Sequence, residues 1–426
     1  MIQSSHDQAP LDDTPPKGTT MSATHKRILL ATWIVGGLTM GTIEAALTVT
    51  NPDDSGPGSL RQTIADAAPG DTIVFDASLN GGVITLTSGE LSFSKSLIIQ
   101  GPGPDSLAID GNGASRVFLI SPTNSHIHVT MSGLCVTNGT AESGGAILGD
   151  TSSSTQRIYL TMSNCLVVAN QATGASGTYV GGGGIAAARN TFLTMVDCEI
   201  VNNQANAEGG GAWVYSQARF ERCAFVGNQS TQMSAGGLLI RDAGPVEIIG
   251  CTFSGNIANF TGWQDDYGGG AIMTREKALV TIYNSTFSEN TTNKRTGGIL
   301  SRGTVSMVLH STLISGNIDG NGYPDVSGTF SAVTNCLVSV TNAVALPGAN
   351  NIFDQDARLD VLADNGGLTR THALLKNSPA IDAGYNPLAL ATDQRGPGFP
   401  RLLGLAVDIG AYEFLPPPPA TLICIR

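Results

Sequence analysis

Two short words alternate along most of this chain, and they restrict the fold more than any other feature. The first is a glycine pair followed by a small or apolar residue, as in Gly144-Gly145-Ala146-Ile147, Gly210-Gly211-Ala212-Trp213 and Gly269-Gly270-Ala271-Ile272. The second ends in asparagine, at Asn170, Asn203, Asn228, Asn256, Asn290 and Asn317, spaced 33, 25, 28, 34 and 27 residues apart. That spacing is too irregular for a helical repeat but suits one strand-containing coil per repeat with loops of variable length. Between the words, residues alternate apolar and polar. Leu160, Leu193, Ala218, Val246, Val280 and Met307 form one column, and Met162, Met195, Phe220, Ile248, Ile282 and Leu309 the next but one. Such alternation marks half-buried strands.

An odd step follows. Three residues beyond the second column come Cys165, Cys198, Cys223 and Cys251, then Ser285 and Thr312. The chain must bend in between, near Asn164, Asp197, Gly250 and Asn284, residue types that accept left-handed backbone conformations. Strand, bend, strand and turn, stacked in register, predict an all-β chain that folds as a right-handed parallel β-helix. The asparagine column is read as structural, each side chain bonding to the coils above and below. Stacked coils lie about 4.8 Å apart, longer than the ~3.8 Å between disulfide-linked Cβ atoms, so the cysteine column is expected to be buried free thiols. An open end of a solenoid needs a cap. Ser59-Leu60-Arg61-Gln62 has the form of a capping box, and Leu60, Ile64 and Ala67 share a face before Pro69-Gly70, which predicts a short N-terminal capping helix.

The domain boundaries expected are a leader over residues 1–45, the β-helix over 46–345, a distinct C-terminal region over 346–414 and a proline-rich tail over 415–426. In the leader, His25-Lys26-Arg27 precedes an apolar run from Ile28 to Met40 and small residues around Ala45-Ala46. This is the pattern of a secretory signal peptide, with translation starting at Met1 or Met21. A single transmembrane anchor is the alternative, and the run is shorter than the ~20 residues a spanning helix needs. With a net charge of −12 and no block of basic residues, the chain is not expected to bind nucleic acid.

The recurring GGAI words and the FxxN words at 225, 253 and 287 resemble the repeats of polymorphic outer-membrane proteins, surface-exposed β-helix adhesins. Residues 46 to about 342 carry that resemblance, which implies secretion or display at a bacterial surface, including the outer membrane. Too little sequence follows for that family's terminal membrane β-barrel. A second set, Asn365-Gly366-Gly367, Thr371-His372-Ala373, Ser378-Pro379-Ala380-Ile381-Asp382, Asp393-Gln394-Arg395-Gly396 and Asp408-Ile409-Gly410-Ala411-Tyr412-Glu413, resembles the choice-of-anchor Q region. That region follows a β-helix in bacterial surface proteins and precedes an anchoring tail. The residues beyond 414 show no sorting signal, which leaves release or truncation of the reading frame as the two readings.

Parallel β-helices also carry polysaccharide lyases and glycoside hydrolases, although fold alone does not decide chemistry. Hydrolysis needs two carboxylates about 5 to 9.5 Å apart. Counting back from the glycine pairs places Glu142, Glu208 and Tyr267 in one column, with Asp265 and Asp266 in the loop Phe260 to Tyr267 beside it. Catalytic candidates are therefore Glu208, Asp265 and Asp266, and Trp263 and Tyr267 could stack on sugar rings. Arg189, Arg241, Arg275 and Arg302 follow the glycine pairs by four or five residues. They predict a cationic stripe able to hold an acidic polysaccharide, or to serve β-elimination with the help of Ca2+. His126 and His128 alternate on a strand without a carboxylate nearby and make a poor metal site. No metal or other cofactor is expected outside the lyase reading. The role expected first is adhesion or binding of a glycan or another cell-surface ligand; the runner-up is a lyase or hydrolase.

Overall fold

A computed structural model describes residues 46–416, apart from 152–154, 176–179, 264–266, 321 and 323. The repeat words become the corners of a right-handed parallel β-helix. Each central coil visits four sheets in turn, as in Thr191–Val196, Glu199–Val201, Gln204–Ala205 and Ala212–Val214. Stacking these segments produces sheets 1, 2, 3 and 4, of 11, 11, 6 and 9 strands. Every pairing within them is parallel and in register, for example Leu160↔Leu193, Val280↔Met307 and Phe225↔Phe253.

The two apolar columns of sheet 1 point inward, and Leu193, Met195, Phe220 and Ile248 are almost wholly buried. On sheet 2, Phe225, Phe253 and Phe287 stack with ring centroids 4.5 and 4.8 Å apart, so one side-chain type repeats through three coils. The corner between sheets 1 and 2 is left-handed at Asn164 (φ 47°), Asp197 (54°), Gly250 (55°) and Asn284 (44°). Arg222, at φ 50°, takes the same conformation with a residue type that rarely adopts it. The six cysteines among the described residues are buried and free. Burial lifts the thiols of Cys135 and Cys336 to about 11 and about 12, which makes them poor nucleophiles.

The asparagine column closes the turn after sheet 2. Asn256 Nδ2 donates to Asn290 Oδ1 (2.8 Å) and to the Phe225 carbonyl (2.8 Å), and Asn256 Oδ1 accepts from the amide (3.1 Å) and Nδ2 (2.9 Å) of Asn228. The same pattern runs from Asn170 to Asn317, where Asn317 Nδ2 donates to Asp325 Oδ1 (2.8 Å) and ends the ladder.

The capping helix α1, Leu60–Asp66, starts at Ser59, whose hydroxyl accepts from the Gln62 amide. Only half of the capping box forms, because the Gln62 side chain turns forward to Asp66 (2.7 Å). Leu60, Ile64 and Ala67 join the main core and cover its first coils.

After Ile352–Phe353 the chain forms a strap. Its antiparallel pair, Leu359–Ala363 and Thr371–Leu374, leads into irregular structure that runs back across the outer face of sheet 2. A separate apolar cluster of Leu313, Leu337, Leu374, Ala380 and Ile409 seals strap to sheet. Polar anchors extend the contact toward earlier coils. Arg370 pairs with Glu199 (2.8 Å), Gln394 accepts from Thr252 Oγ1 (2.6 Å) and His372 Nε2 lies 2.9 Å from Ser254 Oγ. The strap and the β-helix form one compact unit. No helix of the described residues is long and apolar enough to cross a membrane.

Candidate functional site

Sheet 4 departs from the usual division of a solenoid face into apolar inside and polar outside. Its outward column, Ala186, Trp213, Leu239, Met273 and Leu300, is buried beneath the loops that join sheets 3 and 4, forming a second small core with Ala235 and Tyr215. Tyr267, half-buried, packs on this core. The candidate residues surround that covered patch where sheet 4 turns toward sheet 1.

The observed register regroups several of them. Arg241 and Arg275 pair directly, and Arg302 continues their column, but Tyr215 and Ala188 occupy it in the earlier coils, so Arg189 sits one residue further on. Gly181 pairs with Glu208 and Gly268 with Arg295, which removes Tyr267 from the Glu208 column. The run Gly268-Gly269-Gly270 hides which glycine aligns with the other repeats, and the sequence count was displaced there by one residue. Extending the pairing Ile147↔Ile185 back along the chain likewise sets Ser143, not Glu142, against Gly181.

The arginines form a compensated rim rather than a free cationic stripe. Glu208, 4% exposed, forms a salt bridge with Arg275. Arg241 pairs with Glu276 (2.7 Å). Arg189 donates to the Tyr215 hydroxyl (2.7 Å), which donates onward to Asp242 (3.1 Å). Burial is the main reason that the Tyr215 hydroxyl is held above its ordinary range. The guanidinium groups of Arg275 and Arg302 lie 5.4 and 4.6 Å from the Tyr267 ring centroid, close enough for cation–π attraction. Engaged with Arg275, Glu208 is an anion whose charge is already matched.

Trp263 differs from its neighbours in being 86% exposed. Its loop is tied at both ends. Phe260 stacks on Tyr267 with centroids 4.6 Å apart, and Asn293 holds the Phe260 backbone through the amide (2.9 Å) and the carbonyl (3.0 Å). Asp265 and Asp266 lie outside the described residues. Among the described residues, no group of three or more His, Cys, Asp and Glu side chains could hold a metal ion.

Sequence reasoning missed Tyr215, Asp242 and Glu276, each of which becomes visible once the rim column is read coil by coil. It also missed an outward aromatic stack on sheet 1. His128, Tyr159 and Phe192 lie 4.6 and 5.1 Å apart with nearly parallel rings. Because the rings face each other along the solenoid, the shared faces between them are closed to a sugar. Phe192 also borders an open hollow of about 360 Å³ with Gln217, Pro245 and the ion pair Arg219–Glu247 (2.6 Å).

No family model matches the sequence, and no curated protein matches it. Solved structures with a similar chain path include pectate lyase Pel9A, at 13% identity over 87% of this chain and 96% of that one, with a TM-score of 0.47. The ORF18 protein of Geobacillus virus E2 is 12% identical over 72% of this chain and 60% of that one, with a TM-score of 0.40. A mannuronic acid specific polysaccharide family 6 lyase from human gut microbiota is 12% identical over 73% of this chain and 92% of that one, with a TM-score of 0.27. At these identities and scores the likeness concerns the fold alone and transfers no site residue to this chain.

Proposed function

We propose that this chain is an exported or surface-displayed β-helix scaffold that binds an acidic glycan at the rim of sheet 4. The observation that carries the proposal is Trp263, a solvent-facing indole on a loop pinned by the Phe260–Tyr267 stack next to Arg275 and Arg302. Indole can cover the apolar face of a sugar ring, while arginines at its side recognise carboxylates through paired N–H donors. The matched charges favour binding over cleavage. Arg275 holds the buried Glu208, so neither group is an unengaged base or acid.

Export rests on the leader pattern of residues 21–46, and surface display on the resemblance of the repeats to polymorphic outer-membrane proteins. Within this reading the choice-of-anchor Q-like residues serve as the strap's anchors. Thr369 bonds the Arg222 carbonyl (3.0 Å), and Arg395 lies between Phe399 and Tyr412 while pairing with Asp393 (2.6 Å).

The test is co-sedimentation of the protein with a panel of acidic and neutral insoluble polysaccharides, together with absorbance of unsaturated products with and without Ca2+. Trp263→Ala is expected to weaken binding to the acidic members about tenfold without changing the melting temperature, since the indole is solvated. Unsaturated product whose formation needs Arg275, Asp265 or Asp266 would replace this reading with a polysaccharide lyase.

A further inference from the structure

The aromatic ladder on the outer face of sheet 1 breaks where the solenoid makes its shortest repeat. His128, Tyr159 and Phe192 stack 4.6 and 5.1 Å apart, one ring per coil. The next asparagine spacing, Asn203 to Asn228, is only 25 residues, and the sheet 1 strand within it is cut from the six residues of Thr191–Val196 to the four of Ala218–Glu221. Pairing starts at Leu193↔Ala218, and the exposed Gln217 stands in the column where a fourth ring would lie. One coil further the column resumes with a ring, that of Pro245, whose carbonyl accepts from the Ala218 amide (3.3 Å).

A hollow of about 360 Å³ lies at this missing rung, with Phe192 and Pro245 among its walls. Coils rise about 4.8 Å, so two rings separated by one empty rung are roughly 10 Å apart, the spacing that admits one more ring against both. Tyr159 and Arg157 both approach Phe192 from the preceding coil, Arg157 with its guanidinium 5.5 Å from the ring centroid. The opposite face of Phe192 looks along the solenoid toward the hollow. Polar groups border the same space: Thr194, and Arg219 held between Glu221 (2.8 Å) and Glu247 (2.6 Å). The Glu247 side chain is 41% exposed, and a carboxylate engaged by one guanidinium retains lone pairs for hydroxyl donors.

We infer that this hollow binds one pyranose unit of a neutral glycan. The two apolar faces of the sugar fill the vacant rung between Phe192 and Pro245, with the Gln217 side chain displaced to its edge, while its hydroxyls bond to Thr194 and Glu247. A purely aromatic ring would fill the same rung and use none of those polar groups. A uronate is disfavoured, because Arg219 is already engaged by two carboxylates and Glu247 repels a third. The site lies on sheet 1 and takes an uncharged sugar, so it does not rest on acidic-glycan binding at the rim of sheet 4.

Isothermal titration of the full chain with cellohexaose, mannohexaose, maltohexaose and hexagalacturonate tests the assignment. At least one neutral hexamer is expected to bind, at one per chain. Gln217→Tyr supplies the missing rung from the protein itself, with the residue type already present at Tyr159. It is expected to weaken that hexamer at least tenfold with no fall in melting temperature. Phe192→Leu, which keeps apolar bulk but removes the flat face, is expected to weaken it also. Trp263→Ala is expected to bind the neutral hexamer as the unmodified chain does, which separates this hollow from the rim. Silence with every neutral hexamer would overturn the inference, whatever hexagalacturonate does at the rim. A Gln217→Tyr chain that binds normally, or neutral binding lost with Trp263→Ala, would overturn it as well.

Discussion

The asparagine corner and the arginine rim both run along the solenoid, but they are built on opposite rules. At the asparagine corner every coil repeats the same residue and the same bonds, Asn to the next Asn and to a carbonyl one coil back. At the rim each coil solves its charge differently, with a Tyr–Asp relay for Arg189, a surface partner for Arg241 and a buried one for Arg275. Uniform bonding makes a corner rigid and featureless. Varied bonding, with an exposed tryptophan beside it, makes a surface that can discriminate between ligands.

Removing one rung from each side is the most direct way to break that contrast. Asn256→Ala strips hydrogen bonds from two neighbouring asparagines and leaves buried groups unpaired, so a loss of roughly 3 kcal/mol or more is expected in the urea unfolding free energy. If Asn256→Ala proved nearly neutral, the corner would not be the structural spine described above. Arg275→Ala is expected to cost a similar amount, about 3 kcal/mol, chiefly by stranding the buried Glu208 carboxylate. The same variant should lose acidic-glycan binding. Glycan binding that survives this change would place the ligand elsewhere.

A smaller and pH-dependent effect is expected in the strap. Burial raises Glu413 to about 7 and Asp325, at the end of the asparagine ladder, to about 6. Both carboxyls therefore hold a proton in the folded chain at pH values where the unfolded chain, with carboxyls near 4, has released it. Their contribution to stability declines as pH rises from about 4 to about 7 and then levels off. Glu413→Gln removes its share of that decline, so the variant should gain on the unmodified chain as melting is followed from pH 5 to pH 8. Parallel melting curves across that range would show that Glu413 is not the group responsible. The least effect belongs to Arg241→Ala, whose partner Glu276 is 44% exposed; under about 1 kcal/mol is expected, within reach of a careful denaturation comparison.

How legible these regions were follows from the same contrast. Asn170 through Asn317 could be aligned by eye because an identical residue recurs at an identical bend, and the inward columns of sheet 1 followed from period-2 alternation. The rim could not be aligned in full. A single extra glycine at Gly268-Gly269-Gly270 moved Tyr267 out of the Glu208 column, and Glu208 meets Arg275 from 67 residues away. The strap was less legible still. Its motif residues were conspicuous, yet nothing local indicates that Arg370 will bond Glu199 at a separation of 171 residues.

Taken alone, the sequence determined the coil, its bends, its inward columns and its asparagine spine, because these depend on backbone preference and on burial repeated every coil. Only the tertiary structure decided which charges meet at the rim, that the outer face of sheet 4 is covered, and that the strap runs beside the corner at Gly250. Stacking joins residues through register, and loops of unequal length change the sequence distance between partners while leaving the distance in space at one coil.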